Sequence, residues 1–322
     1  MSQRIGYVVI GRNEGERLKA CIRSLPPDAP IIYVDSGSSD GSPAWVRDHG
    51  VPVHELSPEQ PFTAARARNE GFRELMQRFP EIAFVQFIDG DCELHPDWPA
   101  SALSFLESHP EVCAAFGRRR ERFRERSIYN RLCDIEWDVP LGPAKAFGGD
   151  VMLRAKALSA AGGYRSDLIA GEEPELCVRL RASGWQIHRL PAEMTSHDAA
   201  ITNFGQWWRR VVRSGHAFAE GAFLHGRRHG HWLRETARAV VWGALLPLAC
   251  LIASVAFWPA GLVAWLIYPL QMLRLWLRAK DPERTPLAVF HVLARFPEAE
   301  GVMWFALSRL RRRRSGLIEY KV

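Results

Sequence analysis

Asp89-Gly90-Asp91 follows directly on the apolar run Ile82-Ala83-Phe84-Val85-Gln86-Phe87-Ile88. A buried strand that ends in two carboxylates suits a hard divalent cation such as Mg2+ or Mn2+. Such ions prefer oxygen ligands and keep positions open for phosphate oxygens. The glycine lets the backbone turn, so carboxylates that would point to opposite faces of a strand can approach one ion. Taken alone, an exposed acidic turn explains the triplet as well. An EF-hand loop is excluded: Leu94 stands where that loop needs glycine, and Ala100 where it needs an acid. A second acidic group, Gly171-Glu172-Glu173-Pro174-Glu175, opens a helix-like segment, where the dipole favours negative charge.

The elements around these groups alternate. Residues 4 to 10 read as a buried strand, followed by Gly11-Arg12-Asn13-Glu14-Gly15. Helical spacing over 16 to 25 places Leu18, Ile22 and Leu25 on one side. A strand over 31 to 34 stops at the turn cluster Asp35-Ser36-Gly37-Ser38-Ser39-Asp40-Gly41. A weaker strand over 51 to 54, a helix over about 63 to 78 and the strand ending at Asp89 complete the series. Alternation of this kind predicts an α/β domain with a mostly parallel sheet. Ligands of such sheets bind beyond the carboxyl ends of the strands, so the three turn clusters are expected at one edge. In a second block, about 142 to 198, a helix is expected over Glu172 to Ser183, with Pro174 in its first turn and Gly184 at its end. Trp185 to His188 reads as a further strand.

The chain has 322 residues, 47% of them hydrophobic, enough for a sizeable core. Its net charge is +6, concentrated in Arg118-Arg119-Arg120 and Arg311 to Arg314. These runs suit an anionic partner, or are solvated faces. No nucleic-acid-binding module is recognisable. The six cysteines lack ligand or disulfide-framework spacing. The N-terminus shows no secretory signal, so the catalytic part is expected in the cytoplasm. From Ala239 to Leu273 no residue is charged, and Pro259-Ala260-Gly261 divides the run. One span needs about 20 apolar residues, so a membrane hairpin is the expected form. A single tilted span, a re-entrant pair and a buried pair in a soluble protein are the alternatives. Arg234 and Arg238 precede the run, and Arg274, Arg278 and Lys280 follow it, which puts both ends on the cytoplasmic side of a plasma or inner membrane. Leu287 to Leu310 is amphipathic and leads into the arginine run, as in an interfacial helix at an anionic leaflet. The expected divisions are 1–235 catalytic, 236–280 a transmembrane hairpin and 281–322 an amphipathic, basic segment.

Five segments in order carry a resemblance: IGYVVIGRNEG, IIYVDSGSSDGS, AARARNEGF, FVQFIDGDCEL and GGDVMLRAKALSAAGGYRSDLIAGEEPELCVRLRASGW. Over roughly residues 4 to 215 the sequence resembles the inverting family 2 nucleotide-sugar glycosyltransferases, which have the GT-A fold, a Rossmann-like sheet with flanking helices. The resemblance implies a nucleotide-diphosphate sugar donor and Mg2+ or Mn2+. Asp35 would contact the nucleobase, as a carboxylate can accept from ring N–H groups. Gly11 and Glu14 would belong to the donor loop, and Arg68 would reach the donor or be a surface helix arginine. Asp89 would lie near ribose and metal. Asp91 would ligate the metal, with His197 completing the metal or phosphate site or serving the structure alone. The general base of an inverting displacement would be Glu173, with Glu172 as the second candidate. Relatives carry aspartate at the position of Glu173, and many carry a second aspartate at that of Ser36. Gln206-Trp207-Trp208-Arg209-Arg210 is similar to the Gln-x-x-Arg-Trp motif of processive relatives, without the final order. Arg209 and Arg210 could hold the pyrophosphate.

Transfer of a sugar to a hydroxyl of a membrane-associated lipid, lipid-linked sugar or polysaccharide is thus the expected function. A sugar nucleotidyltransferase would want a glycine-rich first loop that GRNEGERLK does not supply. An inactive scaffold or sensor that binds nucleotide sugar would not need Asp91 or Glu173.

Overall fold

The computed structural model describes residues 4–279 and 283–311. Lys280, residues 281–282 and residues 312–322, with the arginine run beyond Arg311, lie outside the described residues. The chain divides into two compact units, one of residues up to 126 plus 133–200, the other of 127–132 plus 201 onward.

The first unit is a nine-stranded mixed sheet with flanking helices. Its strands are β1 (Ile5–Gly11), β2 (Ile31–Asp35), β3 (Val53–Glu55), β4 (Phe84–Asp89), β5 (Cys92–Leu94), β6 (Val112–Glu121), β7 (Gly142–Pro143), β8 (Val151–Arg154) and β9 (Gln186–His197). The order is β3-β2-β1-β4-β8-β6-β9-β5, with β7 against β9. The expected parallel arrangement holds from β3 to β4, where helical crossovers join the strands. Beyond β4 the sheet is mixed: β8 runs antiparallel to both β4 and β6, while β9 is parallel to β6. The last strand is three times the length of the segment expected at 185 to 188, and its far end at His197 pairs with Cys92 beside the acidic turn.

Its helices are α1 (Glu16–Ser24), α2 (Ser42–Asp48), α3 (Ala64–Arg78), α4 (Trp98–Ser108), α5 (Ile128–Glu136), which crosses the unit boundary, α6 (Ala155–Ala160) and α7 (Glu172–Ala182). Helix α3 starts at Thr63, whose hydroxyl accepts from Arg66 N. It lies close on the sheet because Gly71 has no side chain: a Cβ there would come within 2.5 Å of Val8 and 2.7 Å of Val34. That close approach brings Arg68, one turn earlier, to the carboxyl ends of the strands. The core includes the fully buried Tyr7, Tyr33, Phe87, Leu75 and Trp98. The buried amide of Gln86 is satisfied by the Trp98 indole N–H at 2.8 Å and by Phe87 O at 2.6 Å.

The second unit is helical. Helix α8 (Phe204–His229) begins in a capping box between Asn203 and Gln206. It packs on α13 (Arg295–Leu310), and α12 (Arg284–Leu293) precedes α13, so the single amphipathic helix expected over 287 to 310 is two helices with a break at Ala294. Glycines permit the α8–α13 contact: a Cβ on Gly215 would lie 2.1 Å from Glu298 O, and one on Gly301 2.0 Å from Val212 O. The charge-free run forms two long helices, Leu233–Ala256 and Ala260–Arg278, of 24 and 19 residues. The first contains α9 (Leu233–Val240) and α10 (Leu246–Ala256) around a π turn, and the second ends in α11 (Ile267–Arg278). Both are long and apolar enough to cross a bilayer.

Candidate active site

The parallel register sets the site. Gly11 pairs with Asp35 across β1 and β2, and Ile10 pairs with Asp89 across β1 and β4, so the three turn clusters do share one sheet edge. Backbone hydrogen bonds lock them: Ser36 N donates to Gly11 O at 3.0 Å, and Gly90 N to Ile10 O at 2.8 Å. The first two loops also grip one another through side chains. Asn13, at φ 55°, accepts from Ser39 N at 2.7 Å, and Asp40 accepts from Gly15 N at 2.9 Å.

Asp35 is buried, and its carboxylate accepts from the Tyr33 hydroxyl at 2.9 Å, Gly37 N at 2.9 Å and Ser38 N at 2.7 Å. Its evident work is therefore to shape its own turn. Glu14 extends from the loop after β1, beside Gly11, and pairs with Arg17 at 2.7 Å.

Asp89 and Asp91 have different surroundings despite their adjacency. Asp89 receives Arg68 Nη2 at 2.9 Å and Arg119 Nη2 at 3.4 Å. Burial opposes its ionisation, but the two guanidiniums outweigh burial and hold its carboxyl below the usual range. Asp91 turns the other way: its Oδ2 lies 3.2 Å from His197 Nε2. The opposite ring nitrogen of His197 faces Glu121 at 3.5 Å, and the ring stands edge-on to Trp137. Asp91, Cys92 and His197 place their ligand atoms within 4.8 Å of one another. A carboxylate and an imidazole fit a divalent ion such as Mn2+, and Glu121 is placed to orient the imidazole. Of the expected metal ligands, the structure thus brings Asp91 and His197 together, while Asp89 stands in its two arginine pairs.

Arg68 is no surface arginine. It is 3% exposed, and its Nη1 lies 3.0 Å from both Glu172 Oε1 and Glu173 Oε1. The two glutamates open α7 behind Gly171, which takes the left-handed conformation at φ 81°. Glu172 is buried, whereas the Glu173 side chain is 15% exposed and thus open to a reactant. Burial and the neighbouring Glu172 push the Glu173 carboxyl up to about 7, although Arg68 pulls it down. Glu175 is also buried, and Arg179 clasps it at 2.7 Å while donating to Gly163 O at 2.8 Å. It is a structural ion pair rather than a plain helix-start acid, because its side chain points under α7 and not to solvent.

The Arg118–Arg120 run is neither a solvated face nor an open anion site. Arg118 pairs with Asp134 at 3.0 Å, Arg119 reaches Asp89 and the buried Asp150, and Arg120 pairs with Glu193 at 2.7 Å. Strand alternation separates Arg119 from the other two, and carboxylates from other segments meet each one. The sequence reading missed Arg119, Asp150 and Gly149. Asp150 accepts from Asp89 N at 3.0 Å and from the Thr195 hydroxyl at 2.7 Å, fixing the end of β4. The Gly-Gly-Asp triplet before a short strand was the only local signal. Arg209 and Arg210 lie on α8 in the second unit.

This edge, with its knitted turns, buried acids and nearby imidazole, goes with a defined class of domain. Residues 7–151 match the family described as Glycosyl transferase family 2, and the mixed sheet with its flanking helices has the GT-A fold. Among particular relatives, the pre-mycofactocin glycosyltransferase of Mycobacterium tuberculosis is 24% identical over 233 residues, which are 69% of this chain and 48% of that protein. The chain thus spans about half the length of the curated relatives it matches. Among solved structures, the mannosyltransferase PcManGT from Pyrobaculum calidifontis in complex with GDP-Man and Mn2+ superposes with a TM-score of 0.64 at 17% identity, over 94% of this chain and 87% of that one. Residues 1–349 of TarS from S. aureus, in complex with UDP-GlcNAc, give a TM-score of 0.51 at 12% identity over 96% and 92% of the two chains.

Proposed function

We propose that the first unit is a metal-dependent, inverting glycosyltransferase. It would move a sugar from a nucleoside-diphosphate sugar to a hydroxyl of a membrane-associated acceptor: a lipid, a lipid-linked sugar or a polysaccharide. The observation that carries this reading is a division of labour among acids at one sheet edge. Asp89 is kept ionised by two arginines, while Glu173 has a carboxyl raised to about 7. Acids whose surroundings drive them apart in this way mark acid–base roles. Glu173 serves as the general base that takes the acceptor proton as the hydroxyl attacks the anomeric carbon from the face opposite the nucleotide. Asp91 and His197 are the residues that would hold Mg2+ or Mn2+, which when bound neutralises charge on the departing diphosphate. Gly11 leaves room at the donor loop, and Asp35 holds the turn that would frame the nucleobase. The matched family and the neighbours bound to GDP-Man and UDP-GlcNAc support the donor class. No role is assigned to Arg209 or Arg210.

The test is thermal stabilisation of the purified chain by nucleotides and nucleotide sugars, with and without Mn2+. A ligand at 100 times its Kd stabilises the native state by about 2.7 kcal/mol. A metal-dependent shift with one class of nucleotide sugar is expected. A folded protein indifferent to every nucleotide would sink the donor-site reading.

The membrane part of the proposal rests on the two long apolar helices, read as a hairpin with the first unit on the cytoplasmic side. Their side chains are unusually exposed: Val255 is 83%, Leu277 66% and Val263 64% accessible. Arg234 and Arg238 near the start and Arg274 and Arg278 near the end put positive charge at the same end of a hairpin. The proposed divisions remain a catalytic part, this hairpin and a basic C-terminal segment. The full chain is expected to float with phosphatidylcholine vesicles and to stay bound in about 1 M salt, where the screening length is about 3 Å. Complete release by salt would leave only surface attraction.

A further inference from the structure

We propose that Arg68 is a positioning residue that couples occupancy of the Asp89 edge to ionisation of Glu173, so that loading the donor side readies the base. The inference rests on the reading of Asp89 as donor-side and Glu173 as base.

The geometry is one cation shared among three acids. Arg68 Nη2 holds Asp89 at 2.9 Å, and Nη1 holds Glu172 and Glu173, each at 3.0 Å. The guanidinium cannot slide away from them. Its carbon lies 5.6 Å over the Tyr164 ring, and Asn69, the next residue on α3, fixes that tyrosine by accepting from Tyr164 N at 2.8 Å and donating to Tyr164 O at 2.7 Å. On the other side the backbone of Gly149 closes the pair: a Cβ there would come 2.8 Å from Arg68 Nη2 and 2.5 Å from Asp89 Oδ2. Arg68 Nε and the Tyr164 hydroxyl are both buried and make no hydrogen bond among the described residues. The cluster is thus rigid in placement but under-satisfied in polar contacts, so its charge distribution can shift without a large movement.

The groups that face Glu173 are Arg68 on α3, Asp89 at the end of β4, Tyr164 on the segment before α7, and Glu172 and Cys177 on α7 itself. Arg68 supplies the attraction, and the two carboxylates supply the repulsion. With a divalent ion and a diphosphate held beside it by Asp91 and His197, Asp89 would share its negative charge with the ion while keeping its place beside Arg68. More of the guanidinium charge would then act on Glu172 and Glu173, at short range and away from water, where it is weakly screened. Glu173 gives its proton to the buffer and becomes a carboxylate before the acceptor is attacked.

The experiment is titration calorimetry of the full chain in detergent at pH 7, with MnCl2 plus UDP and with MnCl2 plus GDP, in two buffers of different protonation enthalpy. With Glu173 near half-protonation at about pH 7, wild type is expected to release up to about half a proton more than Glu173→Gln. Protons from the nucleotide and from the other site groups are common to both proteins and cancel. Arg68→Met should release no more than Glu173→Gln. That variant leaves Glu172 and Glu173 without their cation and can unfold, so Arg68→Lys is the second probe. It keeps the charge without the fork and should release an intermediate amount. Equal release from wild type and Glu173→Gln, or wild-type release from a folded Arg68 variant, overturns the coupling while leaving the donor reading intact. Absence of binding by either nucleotide overturns both.

Discussion

Glu173→Gln is expected to leave the chain folded and able to bind metal and nucleotide, yet to lower turnover about 1000-fold, within the range typical of a lost general base. Glutamine keeps the shape and the contact with Arg68 but cannot take a proton. The effect should fall on kcat rather than on donor affinity. Glu172→Gln should cost less at the chemical step, because that carboxylate is buried against Arg68 and has less access to a reactant. Glu173→Asp restores the acid that relatives carry but shortens the reach by a methylene, so it should retain more activity than the glutamine. The pH dependence has a definite sign. The base works as the carboxylate, so kcat/KM under limiting donor should rise with pH and reach half its plateau near 7, where the burial-raised carboxyl titrates. An active Glu173→Gln beside a dead Glu172→Gln would exchange the two roles.

Much of this site was legible before the fold, and the reasons differ residue by residue. The turn clusters after three strands announced themselves because strand-to-turn transitions are local, and the parallel register then had to bring Gly11, Asp35 and Asp89 to one edge. Arg68 was expected to reach the donor or to be a surface helix arginine, and its pairing with three acids was not visible. Its burial depends on how closely α3 approaches the sheet, which Gly71 decides by contact with Val8 and Val34 from two other strands. Arg119 looked like one of three equivalent charges, since a run of like residues hides the alternation that sends it to the opposite face from Arg118 and Arg120. Asp150 had no visible role because its partners, Asp89 N and Thr195, lie 61 and 45 residues away. His197 was expected either to complete the metal or phosphate site or to serve the structure alone, and nothing local decided between them: its position beside Asp91 follows from the pairing of β9 with β5. The mixed part of the sheet escaped for the same reason, as antiparallel pairing across long separations leaves no periodic trace.

Asp91→Asn is expected to remove metal-dependent nucleotide binding. Asparagine keeps the volume and a hydrogen bond to His197, so the turn should survive, but it replaces the anionic oxygen that a hard cation needs. The loss of Mn2+ affinity should exceed about 100-fold, since even the outer partners of metal ligands are commonly worth 10- to 100-fold. Titrating the signal of free Mn2+ by electron paramagnetic resonance reads this directly, with no sugar transfer required. His197→Ala should weaken the ion in the same assay, because the imidazole faces Asp91 at 3.2 Å. Cys92→Ser separates this site from a thiol-dependent one. A hard ion has little use for sulfur, so wild-type Mn2+ affinity is expected there, and a large loss would mean that the thiol is a ligand. Asp89→Asn should behave differently from Asp91→Asn, since Asp89 faces two arginines and not the imidazole. If both asparagine variants lose Mn2+ equally, the ion sits between the two carboxylates, and Asp89 must leave its arginines to reach it. If only Asp91→Asn does, the acids of the Asp-Gly-Asp turn divide their work: one holds the ion, and the other holds the arginines that face the base.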